Sequence, residues 1–363
     1  LKEVDVMTGV SHVTQLDRSS GADVETATVL VTGAGGEVGF GLLKTLHDSG
    51  SCRVVGLDLR PLRHRIDCEE VLGDVTDLHA LKQLFSDYRF TEIFHLAALL
   101  SRQGEEHPRK AHDVNATGTM NLLQCAMASA KDANSTVRFI FPSSIAVYGH
   151  RDREEKESTG AVGEGEALRP ATMYGCTKLY SEALGRYFGG VNQERTDDQP
   201  ARWIDFRCVR YPGLISGETL PSGGTTDYVP EMLHAAATGT PYVCFVEPRT
   251  RLPFMTMPDA IEATRTLAAA PRHLLTRDVY NISSFCPTAG EIADVVTSYF
   301  PDARISFEPV ESRQRIVDSW PQDVDCSAAH ADWGFTPRHD LRSAFEEYLI
   351  PAVTARYENG GER

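Results

Sequence analysis

The sequence predicts an α/β fold: a doubly wound parallel sheet with a smaller C-terminal substrate-binding α/β domain. Three observations carry this expectation. Six short β-prone runs alternate with helix-length stretches before residue 212, and such alternation implies crossover connections and a parallel sheet. The first β-prone run ends in Gly33, Gly36 and Gly39, spaced G-x-x-G-x-x-G. After Tyr211 the texture changes, and 212–226 is rich in Gly, Pro, Ser and Thr. A chain of 363 residues also has the length of about two domains.

The elements follow in order. Residues 1–26 are polar and weakly periodic and read as a tail or peripheral arm. Residues 28–32 are the first strand, and 39–47 a helix with Leu42, Leu43 and Leu46 on one face, broken by Gly50. Residues 54–58 and 71–74 are the second and third strands, with a helix over 78–85 after them. The fourth strand is 91–97, followed by a long helix over 115–130. The fifth strand is 138–142, the next helix 172–188, and the sixth strand 203–211. Residues 212–226 read as a long functional loop. Beyond it, 229–237 is a helix, 242–247 a strand, 259–270 a helix, and 278–282 a strand that rejoins the main sheet. The expected domains are 27–211 for dinucleotide binding, with 256–283 returning to it. Residues 212–255 and 284–353 form the substrate domain, and 354–363 a C-terminal tail. The Glu- and Gly-rich segment 151–169 reads as an exposed excursion. The charged runs 151–157 and 313–315 read as solvated faces.

Composition removes several function classes. Lys plus Arg is 36 and Asp plus Glu is 51, a net charge of −15. That balance argues against nucleic-acid and anionic-membrane partners, which need concentrated positive charge. No apolar run approaches the roughly 20 residues of a membrane span, and no signal-peptide pattern opens the chain. The eight cysteines contain no C-x-x-C pair, so a four-cysteine zinc cluster or a thioredoxin-like pair has no support. Reduced thiols in a cytosolic or organelle-matrix enzyme are the expectation. His95, His107 and His112 lie near one another in sequence, yet no second ligand cluster matches them, so no metal site is expected.

The glycine run follows a strand and opens a helix, the context that a dinucleotide-binding, Rossmann-type loop requires. Gly33 permits a tight turn, Gly36 lets backbone approach a pyrophosphate, and Gly39 lets helix pack close to sheet. The N–H groups at the helix start, at Glu37 and Val38, then hold phosphate charge. Asp58 ends the next strand, where a carboxylate accepts hydrogen bonds from a ribose diol and repels a 2′-phosphate. NAD is therefore favoured over NADP, while Arg60 and Arg63 leave tolerance of that phosphate open. Asp74 after the third strand reads either as a contact to the adenine edge or as a helix cap.

Ser143 and Ser144 follow the apolar fifth strand, and Tyr174 and Lys178 stand four apart on a helix. An i,i+4 pair shares one face. A cationic Lys178 beside Tyr174 would lower the phenol pKa and make Tyr174 a general base for an alcohol. Ser144 would hold the substrate oxygen as charge develops, and Lys178 could reach a nicotinamide ribose.

Together with residues 95–98, 115–118, 143–149 and 174–178, the glycine run resembles the extended short-chain dehydrogenase/reductase family. Within it, segments 142–149, 210–216, 224–228, 250–255 and 318–321 resemble the members that oxidise L-threonine. The resemblance implies the catalytic trio Ser144, Tyr174 and Lys178. It implies a cofactor site that includes Val75, Leu96, Ala97, Ala98, Asn115 and Tyr211. It implies that Ser101, Ser144, Tyr174, Thr225, Thr226 and Trp320 approach the amino acid. Trp320 would close the pocket against water. The implied reaction takes the secondary alcohol of L-threonine to 2-amino-3-oxobutyrate, with Tyr174 removing the hydroxyl proton and the hydride going to NAD. The implied assembly is a homodimer, with 2-amino-3-ketobutyrate CoA ligase as pathway partner. The implied location is the mitochondrial matrix for a eukaryotic source and the cytoplasm for a bacterial one. Two other readings share these residues: a nucleotide-sugar epimerase or reductase, and a non-catalytic NAD-binding regulator.

Overall fold

The structure is a computed structural model, and it describes residues 11–12, 27–62, 66–190, 202–221 and 224–358. Its organising element is Thr28–Thr32, a β-branched run buried from Val29 onward. A strand buried on both faces reads as continuous apolar sequence. Arg53–Asp58 and Glu92–His95 pair parallel on either side of it, with Val31 opposite Gly56 on one side and Phe94 on the other. The chain runs outward from Thr28–Thr32 through Arg53–Asp58 to Glu69–Leu72, then returns to Glu92–His95 on the other side. The direction of winding therefore reverses between Thr28–Thr32 and Glu92–His95, the position where open α/β sheets bind ligands. Val137–Ser144, Ile204–Tyr211 and Val279–Asn281 continue the sheet in that order, giving seven parallel strands. Ser11–His12 add a short antiparallel edge strand on Val71–Leu72. The rest of 1–26, on which the tail expectation falls, lies outside the described residues.

Two compact units divide the chain. The first comprises Leu1–Leu99, Pro108–Pro142 and Tyr180–Cys208, and the second Leu100–His107, Ser143–Leu179 and Val209–Arg363. Residues 143–179 and 256–283, assigned to the nucleotide domain from sequence, thus group with the second unit.

In the first unit, Glu37–Ser49 buries Leu42, Leu43 and Leu46 and stops at Gly50, whose φ of 59° is left-handed. Leu78–Asp87 is capped by Asp77, which accepts from the N–H groups of His79 and Ala80. The helix expected over 115–130 is longer and composite. A turn of π-helix, His112–Thr117, leads into Gly118–Asp132, and π-turns of this kind concentrate near functional sites.

In the second unit the expected loop 212–226 contains a strand, Gly213–Ile215, paired parallel with Phe254–Thr256. Tyr242–Cys244 pairs parallel with Ile305–Phe307. The helices expected over 229–237 and 259–270 are Tyr228–Ala237 and Met257–Ala269. One apolar cluster, including Tyr148, Tyr228, Phe245, Phe254, Ile292, Trp320 and Phe345, holds these elements together. Residues 354–358 belong to the helix Ile350–Glu358, and 359–363 lie outside the described residues.

Segment 151–169 is exposed at many positions, as its charge suggests, but it is anchored. Its helix, Arg153–Thr159, is tied to the helix Glu311–Ser319. Arg153 pairs with Asp318 at 3.0 Å and with Glu247 at 2.7 Å. Lys156 is only 3% exposed and donates from Nζ to the Val317 carbonyl at 2.8 Å. A long lysine stem packs like an aliphatic chain once its ammonium has an acceptor, and composition does not reveal that acceptor.

Candidate active site

The first unit carries the elements of a cofactor cradle. Gly33 has a φ of 67°, and a Cβ there would lie 2.7 Å from the Ala97 backbone nitrogen. A Cβ on Gly39 would lie 2.2 Å from the Gly33 carbonyl oxygen. Both positions therefore exclude any side chain. Gly36 is the N-cap of Glu37–Ser49 and supplies no side-chain cap, so the helix start presents N–H groups to an anion. Asp58 reaches back to this loop and accepts from the Gly35 N–H at 2.9 Å. Asp74 accepts from the Thr76 N–H at 2.9 Å, and Asp77 supplies the helix cap, so the cap reading of Asp74 is corrected. Val75 packs on Gly118, where a Cβ would meet it at 2.7 Å. Arg63 lies outside the described residues. The glycine cradle and the uncapped helix start fit a dinucleotide pyrophosphate.

A chain of hydrogen bonds fixes the wall of this cradle. The Ala97 N–H donates to Thr32 Oγ1 at 3.2 Å, and Thr32 Oγ1 lies 2.8 Å from His95 Nδ1. His95 Nε2 lies 2.9 Å from Thr119 Oγ1, which donates to the Asn115 carbonyl at 2.6 Å. Because the Thr119 hydroxyl proton goes to the Asn115 carbonyl, His95 Nε2 is the donor to Thr119 Oγ1. Asn115 clasps Leu99 at both polar groups, accepting its N–H at 2.8 Å and donating to its carbonyl at 3.0 Å. This ladder locks residues 95–99, which include Leu96, Ala97 and Ala98, to the helix behind them. The bridging role of His95 is not visible in sequence.

The second unit holds Ser144, Tyr174 and Lys178. Ser144 ends the strand Val137–Ser144 and caps the 3-10 turn Ile145–Val147 by accepting the Ala146 N–H at 3.2 Å. Tyr174 and Lys178 lie on the first turns of Met173–Gly189. The start of that helix is fixed from a distance, because Glu105 accepts the Met173 N–H at 2.6 Å, and from nearby, because Thr172 accepts the Gly175 N–H at 3.0 Å. Tyr174 and Ser144 are hydrogen-bonded. Lys178 is buried, and its Nζ lies 5.6 Å from the centre of the Tyr174 ring, a cation–π separation. The three residues are therefore together. The expected pKa shift is reversed, however. Burial pushes the Tyr174 phenol up to about 12, against the smaller pull of the Ser144 hydrogen bond. Desolvation of the phenolate is the larger of these two effects.

The residues assigned to substrate fall into two groups. Ser101 and Thr225, both 6% exposed, face each other with hydroxyl oxygens 3.0 Å apart. Thr226 follows at the start of Tyr228–Ala237, where its carbonyl accepts the Val229 N–H at 3.4 Å. Trp320 is 4% exposed in the apolar cluster, and its indole Nε1 has no hydrogen-bond partner. An orphaned buried N–H is costly and is a donor available to a ligand. Tyr211 spends its hydroxyl on Thr264. Among the described residues no group of three or more His, Cys, Asp or Glu side chains is placed to hold a metal ion, and no helix is long and apolar enough to cross a membrane.

A dinucleotide cradle at the switch point of a doubly wound sheet, with a Ser–Tyr–Lys trio, defines an NAD-dependent oxidoreductase of the short-chain type. Residues 29–283 match the NAD dependent epimerase/dehydratase family, and the chain belongs to that family. It is 33% identical over 326 residues to the mitochondrial L-threonine 3-dehydrogenase of Bos taurus, covering 89% of this chain and 82% of the bovine one. Among solved structures it is similar to the L-threonine dehydrogenase of Clostridium difficile, with a TM-score of 0.80, 30% identity, and coverage of 91% and 98% of the two chains. It is likewise similar to the holo form of a GalE-like L-threonine dehydrogenase from Cupriavidus necator, with a TM-score of 0.77, 34% identity, and coverage of 89% and 99%.

Proposed function

We propose that this chain oxidises L-threonine at its secondary alcohol to 2-amino-3-oxobutyrate. The observation that carries the reading is the Ser144–Tyr174 hydrogen bond with Lys178 beside the phenol ring. The similarity to several L-threonine dehydrogenases supplies the substrate. Gly33, Gly36, Glu37, Val38, Asp58, Asp74, Val75, Leu96, Ala97, Ala98, Asn115, Tyr174, Lys178 and Tyr211 are the residues we assign to NAD. Bound NAD supplies the acceptor for the hydride of the carbinol carbon. Tyr174 takes the hydroxyl proton, and Ser144 donates to the oxygen as it becomes a carbonyl. Ser101 and Thr225 bring two hydroxyls, Thr226 a third, and Trp320 an unused N–H. Such donors suit the carboxylate and hydroxyl of a small amino acid. Their burial favours a small substrate over a nucleotide sugar, which needs a long open groove.

A substrate panel tests the reading: L-threonine, L-serine, D-threonine, 3-hydroxybutyrate and UDP-sugars, each with NAD and with NADP, followed by NADH or NADPH absorbance. The expected result is strong NADH formation with L-threonine alone. Turnover of 3-hydroxybutyrate or a UDP-sugar in its place overturns the substrate assignment. Cofactor binding without turnover of any of them makes the chain a non-catalytic NAD-binding protein.

A further inference from the structure

The residue that introduces Thr225, Gly224, is held at both of its backbone polar groups. The Gly224 N–H donates to Asp227 Oδ2 at 2.6 Å, and the Gly224 carbonyl accepts from Arg313 Nη2 at 2.9 Å. A Cβ on Gly224 would lie 2.6 Å from Asp227 Oδ1, so glycine is what admits the carboxylate. The Arg313 guanidinium is laid over the Phe245 ring, 3.1 Å from its centre, and Phe245 is part of the buried cluster. Burial works against the Arg313 charge, while Glu231, Tyr242 and Asp227 support it and Arg102 opposes it. Arg313 is thus not one of the solvated charges that its run suggested. It is a fixed group whose flat face rests on an aromatic ring and whose edge grips one carbonyl, an arrangement that needs a planar fork.

We infer that Arg313 is a positioning residue for the amino-acid substrate: it clamps Gly224 and thereby holds the Thr225 hydroxyl, paired with Ser101, at the substrate. This rests on the proposed role of Thr225 in binding L-threonine. A clamped peptide keeps the hydroxyl oriented before substrate arrives, so loss of the clamp weakens substrate binding more than it slows chemistry.

The test compares Arg313→Met, Arg313→Lys, Thr225→Ala and the Arg313→Met/Thr225→Ala double variant. Initial rates are measured against L-threonine at saturating NAD, with the NAD dissociation constant taken by fluorescence titration. Arg313→Met is expected to raise KM for L-threonine about tenfold, with kcat changed less than about twofold and NAD affinity unchanged. Arg313→Lys is expected to recover part of the loss by restoring one donor. The double variant is expected to match Thr225→Ala alone, because the clamp acts through that hydroxyl. Unchanged KM in Arg313→Met, or additive losses in the double variant, overturn the inference. No KM effect from Thr225→Ala overturns the threonine-binding reading itself. Should Arg313→Met not accumulate as folded protein, Asp227→Ala removes the acceptor of the Gly224 N–H and releases the same residue from its other side. The same KM signature is expected there, and its absence overturns the inference.

Discussion

Gly175 faces the Ala146 carbonyl oxygen so closely that a Cβ at residue 175 would lie 2.0 Å from it. The contact joins the two segments of the second unit to which we assign catalysis. Ala146 sits in the 3-10 turn capped by Ser144, and Gly175 separates Tyr174 from the turn that carries Lys178. Gly175→Ala must therefore move the helix start away from the turn, stretching the Ser144–Tyr174 hydrogen bond. A displacement near 1 Å is enough to cost about 100-fold in rate. The expected outcome is a loss in kcat of that order with NAD affinity retained, measured by steady-state kinetics beside an NAD titration. Wild-type kcat in this variant would show that the close approach does not set the catalytic geometry.

The raised Tyr174 phenol makes a statement about pH. A base must be deprotonated to act, and a phenol pushed up to about 12 is protonated at neutrality. Its basic form gains population as pH rises, so oxidation by the wild type is expected to accelerate steadily through the alkaline range. Tyr174→Phe removes the acceptor and is expected to abolish turnover at every pH. A pH–rate profile that levels near neutrality would show that the bound complex lowers this phenol far below its value in the structure.

Much of this architecture is legible in the sequence, and the reasons are local. The strand–helix rhythm of 28–142 depends on apolar periodicity, which neighbouring residues carry themselves. The glycine loop is legible because the left-handed φ of Gly33 and the close approach of Gly39 to the Gly33 carbonyl both arise within the turn. The i,i+4 spacing of Tyr174 and Lys178 likewise needs only a helix. What stays hidden depends on partners far along the chain. Glu105 caps a helix 68 residues away, and His95 bridges Thr32 and Thr119 across 63 and 24 residues. The sign of the Tyr174 shift follows from desolvation, which spacing alone does not report. Arg313 and Lys156 look like surface charge until Phe245 and the Val317 carbonyl are brought to them.

Asp58 holds the Gly35 N–H at 2.9 Å, so it shapes the glycine loop as well as presenting a carboxylate. Asp58→Asn keeps the shape and one acceptor but removes the negative charge. NAD affinity is expected to fall modestly, by about tenfold or less. The preference against NADP is expected to fall further, because a 2′-phosphate no longer meets a like charge. The ratio of kcat/KM for the two cofactors measures this. An unchanged ratio would mean that discrimination comes from elsewhere, with Arg60 as the next residue to change.

Lys156 ties the helix Arg153–Thr159 to the Val317 carbonyl, and burial pulls its pKa down from 10.5 to about 7, with Asp318 and Glu157 opposing that pull and Arg153 adding to it. The sign of the stability effect follows by linkage. Below about pH 7 the lysine is protonated in both the folded and unfolded chain, and the full cost of burying its charge is present. Between about 7 and 10.5 the unfolded chain binds the proton and the folded chain does not, so this group makes folding more favourable as pH rises. Above 10.5 the effect is constant. Lys156→Met keeps most of the stem but has no titrating group. The stability of the wild type relative to this variant is therefore expected to rise from neutral pH to pH 10, by an amount on the order of a few kcal/mol. Urea unfolding of both proteins across that range measures the difference. A wild-type-minus-variant stability that is flat or falls with pH would mean that Lys156 keeps its proton in the folded chain and that the tie to Val317 is a charged one.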